Sequence, residues 1–261
     1  MTETLFTSRL IKASALVADT KTLLAHWDLS QDAQANLERA RSENIFGKAT
    51  RARVEDVLRI FRQRYFDDLE TGQALVTLVQ GGVPAQWINP LLYYYTVRND
   101  ITLRAIILEI VYLRRMSGYS DISTEIVMRN LRDWVAEGRT TSDWGEETIN
   151  RVAKNALTAL RDFGILSGKS IKSITPIYLP IESFAFLSFE MQRHTLSGEQ
   201  ILHSDDWKLF FLPVEGVERF FLEAHQERLL AYYAAGSIIR LEFPVQTLVE
   251  YAHVLVERAR A

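Results

Sequence analysis

The chain has no cysteine among its 261 residues. Without thiols there is no disulfide framework, no thiolate metal site and no cysteine nucleophile, which agrees with a reducing compartment; the expected location is cytoplasmic. Phosphate-binding glycine loops are missing too. Gly47-Lys48 is not one, because that motif needs glycine where Ser42 stands and serine or threonine where Ala49 stands. No Gly-x-Gly-x-x-Gly or Gly-x-Ser-x-Gly occurs. The histidines, His26, His194, His203, His225 and His253, lack metal-ligand spacing; His225 has Leu229 at i+4. Asp205-Asp206 and Glu146-Glu147 are adjacent carboxylates of the kind found at helix caps and solvated turns. No cofactor, no metal and no enzymatic activity are expected. The start of the chain lacks the basic-then-apolar layout of a signal peptide.

Long apolar runs are absent as well. The longest uncharged stretch, 71–97, is interrupted by Gly81, Gly82, Pro84, Gln86, Asn89 and Pro90. It falls short of the ~20 consecutive apolar residues that a spanning helix needs. It predicts two buried helices around a Gly81-Gly82-Val83-Pro84 turn, and no membrane partner.

What the chain does have is a local concentration of positive charge. Residues 43–65 carry Lys48, Arg51, Arg53, Arg59, Arg62 and Arg64 against Glu43, Glu55 and Asp56. The whole protein holds 30 basic and 33 acidic side chains, so this density is local. Val54, Val57, Leu58, Phe61 and Tyr65 recur at helical spacing, which predicts an amphipathic helix with this stripe on a core. Thr50 is placed to cap it. Arg51 and Arg53 then fall in the first turn, where the helix dipole disfavours cations unless an anion is held there. A polyanion, nucleic acid first, is one reading. A solvated helix face with local pairs such as Glu55–Arg59 and Asp56 with Arg53 or Arg59 is the other.

The fold class expected is mainly α, in two helical domains. Residues 1–116 hold 15 basic and 13 acidic side chains, residues 117–261 hold 15 and 20. That asymmetry places a boundary near 114–121 and predicts an all-helical domain 1–116 with the basic helix and a second domain 117–261. Helical periodicity runs over 8–26, 33–44, 51–66, 72–80, 90–98 and 101–116, with Asp100 as a cap for the last. Tyr93, Tyr94 and Tyr95 point in different directions on a helix, so they read as core and surface more than as a base-stacking platform.

In the second half, a helix over 123–137 precedes another that is capped by Ser142 or Asp143 and reaches Asp162. Gly164, a basic turn and a strand over 174–179 follow. This is the order of a winged helix-turn-helix with a short β-hairpin. It would set Asn150, Arg151, Lys154 and Asn155 on a recognition helix and Lys169 and Lys172 in the wing. Common packing without a ligand explains the same order. Pro180 is expected to start a helix over 181–192, 213–235 to form one long helix ended by Gly236, 237–243 to be a strand pairing with 174–179, and Pro244 to open a last helix.

Together, Ser8-Arg-Leu-Ile-Lys-Ala, His26-Trp-Asp, Glu43-Asn-Ile-Phe-Gly-Lys-Ala-Thr-Arg-Ala-Arg, Ile60-Phe-Arg-Gln-Arg-Tyr, Leu160-Arg-Asp-Phe-Gly-Ile-Leu and Ala235-Gly-Ser-Ile-Ile-Arg-Leu-Glu-Phe-Pro resemble the BrxA family of bacterial BREX (bacteriophage exclusion) defence systems. The resemblance implies a helical, cytoplasmic, DNA-binding protein without known enzymatic activity. It would work beside a methyltransferase, an ATPase, a phosphatase-like protein and other BREX subunits. It also implies a likeness to an RNA-binding antitermination factor of helical-bundle type, and it supplies no catalytic residue set. The expectation is therefore a non-catalytic accessory protein that contacts double-stranded DNA phosphates through Lys48, Arg51, Arg53, Arg59, Arg62 and Arg64. Lys154, Lys169 and Lys172 would form a second site. The rivals are a protein–protein adaptor within the BREX complex, an RNA-binding protein, and a degenerate nuclease using Asp19-Thr-Lys21 or Asp206-Trp-Lys208.

Overall fold

A computed structural model describes residues 5–12, 15–169, 171–175, 178–194, 197–236 and 238–261. The fold is mainly helical. In chain order, a 3-10 turn at Ser8–Ile11 precedes α1 (Val17–Ala25), α2 (Ala33–Ser42), α3 (Arg51–Tyr65), α4 (Leu69–Gln80) and α5 (Ala85–Asn99). One continuous helix follows as α6 (Ile101–Ala105), a π-helical stretch Ile106–Tyr112 and α7 (Leu113–Met116). Next come β1 (Asp121–Ile122), α8 (Thr124–Ala136), α9 (Glu146–Asp162), β2 (Leu166–Ser167) and β3 (Lys172–Ile174). The chain ends with α10 (Ile181–His194), α11 (Gly198–Leu202), a 3-10 turn Asp205–Phe210, α12 (Val214–Gln226), β4 (Ala231–Ala235), β5 (Ile238–Glu242) and α13 (Leu248–Arg260).

Two compact units share these elements, and neither is continuous in sequence. One comprises Met1–Val17 and Tyr93–Ile177, the other Ala18–Leu92 and Tyr178–Ala261. A cut at 116/117 does not follow this division. Charge asymmetry along the chain is blind to a C-terminal segment that returns to pack on an early helix. That is what α13 does: Gly81 at the end of α4 lies so close to Val256 that a Cβ there would sit 2.3 Å from its Cγ2.

In the first unit, α9 buries Ile149, Val152, Ala153, Ala156, Leu157 and Leu160, a stripe at helical spacing, and packs on α8. Ser123 caps α8 by accepting from the Ile126 N–H, while Gly145 precedes α9 with no side-chain cap, contrary to the cap expected from Ser142 or Asp143. Gly164 takes φ +80° and lets the chain turn from α9 into β2. The three short strands are antiparallel in the order β1-β3-β2. Phe6 and Trp134 pack with ring centroids 4.7 Å apart, and the Arg139 guanidinium lies 4.8 Å from the Phe6 ring centre while pairing with Glu109 at 2.7 Å. Asp100 caps α6 as expected, accepting from the Leu103 N–H. Tyr93, Tyr94 and Tyr95 are all buried, so none forms an exposed stacking platform.

In the second unit Trp27 stacks on Phe66 at 4.0 Å, and Phe184 on Trp207 at 4.6 Å. The Trp207 indole N–H donates to the Ile201 carbonyl at 2.7 Å, and the Tyr251 hydroxyl to the Leu229 carbonyl at 2.9 Å, so the polar ends of these buried rings are satisfied.

Several expected boundaries change. Residues 8–26 form a 3-10 turn and the separate helix α1, with residues 13 and 14 outside the described residues. Pro90 lies inside α5 instead of opening it. The long helix expected over 213–235 is α12 followed by β4. The helix ends at Gln226, Arg228 takes φ +59°, and the chain reverses into Ala231–Ala235. β5 pairs with β4, Tyr232 opposite Leu241, and not with 174–179. A local hairpin closes a shorter loop than the long-range pairing would. The strand expected over 174–179 ends at Ile174; residues 176, 177 and Ser237 lie outside the described ones. α13 starts at Leu248, three residues after Val245, on a Thr247–Glu250 capping box.

Candidate nucleic-acid interface

α3 forms as its sequence predicts. Thr50 accepts from the Arg53 N–H, and Val54, Val57, Leu58, Phe61 and Tyr65 are buried. The burial turns Arg51, Arg59 and Arg62 outward, and α2 runs alongside. α2 is capped by Asp32, whose carboxylate accepts from the Ala35 N–H, and it buries Asn36, Leu37 and Ala40. Between the two helices lies a groove of about 460 Å³ lined on its polar side by Gln34, Arg41, Glu55, Arg59, Arg62, Gln63 and Asp67. Arg41 also borders an adjoining depression of about 480 Å³, with Glu38, Ser42, Asn44, Lys48 and Arg51.

The cations here differ in availability. Arg51 is open, with its side chain 84% exposed and 3.9 Å from Glu55. Arg62 is exposed at the groove. Arg59 is also exposed and pairs with Asp56. Lys48 reaches Asp19 at 2.8 Å, which leaves that carboxylate in an ion pair and not in a free Asp-Thr-Lys arrangement. Glu55 pairs with Arg41 and Arg51, not with Arg59. Arg53 is half-buried.

Arg64 is a different matter: it is buried, only 6% exposed, and is not part of the outward face. It stands three residues after Phe61 and seven after Val57, so it continues the apolar stripe. Arg41 is the residue that reading one basic helix misses, since it comes from α2 and enters the site through packing.

In the first unit, Lys154 and Arg151 are exposed on α9, with Asn150 and Asn155 half-exposed beside them. Arg151 lies 3.9 Å from Glu147, and the Asn155 amide donates to the Arg151 carbonyl. Arg132 clamps Glu146 and Glu125, which hold its guanidinium above the usual arginine range, so the start of α9 is an ion-paired surface. Lys169 is exposed at the hairpin between β2 and β3.

Lys172 does not join Lys169 in an outward wing. Strand alternation turns Lys172 and Ile174 inward and Ser173 outward. The Lys172 ammonium donates to the Lys169 carbonyl at 2.8 Å, closing the hairpin from inside. Burial, and then the Arg161 charge, hold this ammonium below the usual lysine range. The unfolded chain therefore binds more protons than the folded one between the folded-state value and 10.5, so stability rises with pH across that window. Lys172→Met is expected to flatten that alkaline rise. It should also leave duplex affinity within about twofold, since a buried cation makes no phosphate contact. Urea midpoints at stepped alkaline pH, alongside a binding titration, check both halves.

The BrxA family model matches residues 4–192, a span that includes every residue of both surfaces. The chain belongs to the BrxA family. BrxA-family proteins are BREX-associated, and so is this one. No curated protein matches the chain. Among the described residues of this BrxA-family protein, no helix is long and apolar enough to cross a membrane.

Proposed function

We propose that this BrxA-family chain is a non-catalytic DNA-binding accessory protein of a cytoplasmic BREX system, holding duplex phosphates along the α2–α3 wall. The observation that carries the proposal is the row of exposed cations, Arg51, Arg59 and Arg62, on one side of a helix whose other side is core. Phosphate contacts of this kind position a protein on the duplex without reading its sequence, so weak sequence preference is expected. Lys48 and Arg41 add charge once their acidic partners exchange for phosphate.

A second surface is proposed on the first unit. The order helix, strand, helix, helix, hairpin with strand order β1-β3-β2 supports a winged-helix reading of residues 101–174. In that reading α9 offers Arg151, Lys154 and Asn155, and the hairpin offers Lys169.

The exposed Tyr233 (52%) and Ile238 (72%) on the β4–β5 hairpin favour a second reading, a protein adaptor within the BREX assembly. Titration of the purified chain, with no other protein present, into a labelled duplex separates the two. Saturable binding at low salt, competed by unlabelled duplex, supports the DNA reading. No binding to duplex leaves the adaptor reading, and preferential competition by RNA moves the ligand class to RNA.

A further inference from the structure

Glu55 is the acid that stands in the middle of the cationic wall. Arg41 Nη2 donates to Glu55 Oε2 at 3.1 Å, while Arg41 Nε lies 2.7 Å from Oε1 without hydrogen-bond geometry, so its buried N–H has no hydrogen-bond partner among the described residues. Arg51 Nε is 3.9 Å from the same Oε1. The three side chains are 32%, 42% and 84% exposed, in the order Arg41, Glu55, Arg51, so this cluster is at the mouth of the groove and not in the core. Glu55 therefore satisfies one arm of the guanidinium fork and leaves the Nε–H open, whereas a phosphate can accept from both arms through two oxygens. Exposed carboxylate–guanidinium pairs are weak, so the exchange costs little.

We propose that Arg41 and Arg51 form a seat for a backbone phosphate of duplex DNA, and that Glu55 occupies this seat as a resident counter-anion which the phosphate displaces. The inference rests on the DNA reading above and extends it: it adds Arg41 from a second helix and names the residue that limits affinity. Glu55 swings toward water when the phosphate arrives. The wall thus binds duplex less tightly than its count of arginines implies, and its affinity is set by one acid.

The test compares wild type, Glu55→Gln, Arg41→Ala, the Glu55→Gln/Arg41→Ala double variant and Glu43→Gln by anisotropy of a labelled duplex. Glu43 is exposed at the end of α2 and borders neither depression, so it controls for simple loss of a negative charge. Glu55→Gln is expected to tighten binding by roughly fivefold to tenfold near 0.1 M salt and to steepen the log–log salt slope by about one unit. In the Arg41→Ala background the gain should shrink to less than about twofold, the level expected of Glu43→Gln. Wild type that binds while Glu55→Gln gains nothing overturns the seat and leaves the DNA reading standing. A gain that survives Arg41→Ala, or that Glu43→Gln matches, also overturns it, as a charge effect without a site. Failure of both wild type and Glu55→Gln to bind at low salt overturns the seat and the DNA reading together. Melting temperatures of all five proteins confirm that each is folded.

Discussion

Replacing Arg193 with methionine is expected to destabilise the protein by about 3 kcal/mol, because it removes the arginine charge that faces three carboxylates, one of them buried. Arg193 on α10 lies 2.8 Å from Asp68, 2.8 Å from Glu70 and 2.8 Å from Glu190. Glu190 is 1% exposed, and its other oxygen meets His194 Nε2 at 3.2 Å. Asp68 caps α4, and Glu70 accepts from the Leu248 N–H at 2.6 Å, the first residue of α13. One guanidinium therefore ties α10 to the start of α4, and through Glu70 to the start of α13. Urea unfolding of Arg193→Met should show the loss, and adding Glu190→Gln should recover part of it by removing a buried negative charge that the arginine no longer balances. Unchanged stability in Arg193→Met would contradict this account.

The same cluster sets a pH dependence. Burial works against the ionised form of Asp68. The hydrogen bonds from Arg193 and Thr71, the Arg193 charge and the Glu70 N–H outweigh it and hold the carboxyl below its usual value near 3.8. A depressed carboxylate stabilises the fold above its unfolded value, and that stability is lost as pH falls through the folded one. Wild type should therefore lose stability on acidification below about pH 4, and Arg193→Met should lose less over the same range.

On the binding side, the largest expected effect comes from Arg51→Ala/Arg59→Ala/Arg62→Ala. Each lost phosphate contact removes one released counterion, so three lost contacts lower duplex affinity by roughly two orders of magnitude near 0.1 M salt. All three side chains are exposed, and none belongs to the stripe that α3 buries, so the fold should be retained. Lys154→Ala/Lys169→Ala on the first unit is expected to cost less, because α9 begins with ion-paired Glu146 and the exposed pair Glu147–Arg151. A reversed order of the two effects would move the principal interface to the α9 surface. Anisotropy titrations of the two variants against wild type decide it.

Much of α3 was legible in the sequence because its periodicity and cap agree: Thr50 caps, and the five stripe residues are buried. The two helices α8 and α9 and the Gly164 turn after them were legible from the Ser123 cap and the glycine, whereas the two-residue strand β1 carries no pattern of its own and was not. Arg64 and Lys172 are buried, against the outward place that their charge suggests, and the sequence pattern already carries this. Arg64 continues the apolar stripe, and Lys172 shares one strand face with Ile174. Long basic side chains can be buried when their heads find acceptors, as that of Lys172 does. The β4–β5 hairpin was hidden because Ala231–Ala235 follows an amphipathic helix without proline or glycine between them; the break is Arg228 in the left-handed region. Arg41 could not be found from one helix, since only the packing of α2 on α3 brings it to the site. The division into units was hidden for a similar reason, as the contacts of α13 with α4 are long-range.

The most direct measurement is the affinity of the purified chain for a labelled duplex across a salt series, for wild type and for Arg51→Ala/Arg59→Ala/Arg62→Ala. The account predicts that wild type binds with a steep log–log salt slope and that the variant's slope is shallower by about 3 units. Binding by both proteins with the same slope, or no binding by wild type at low salt, would contradict it.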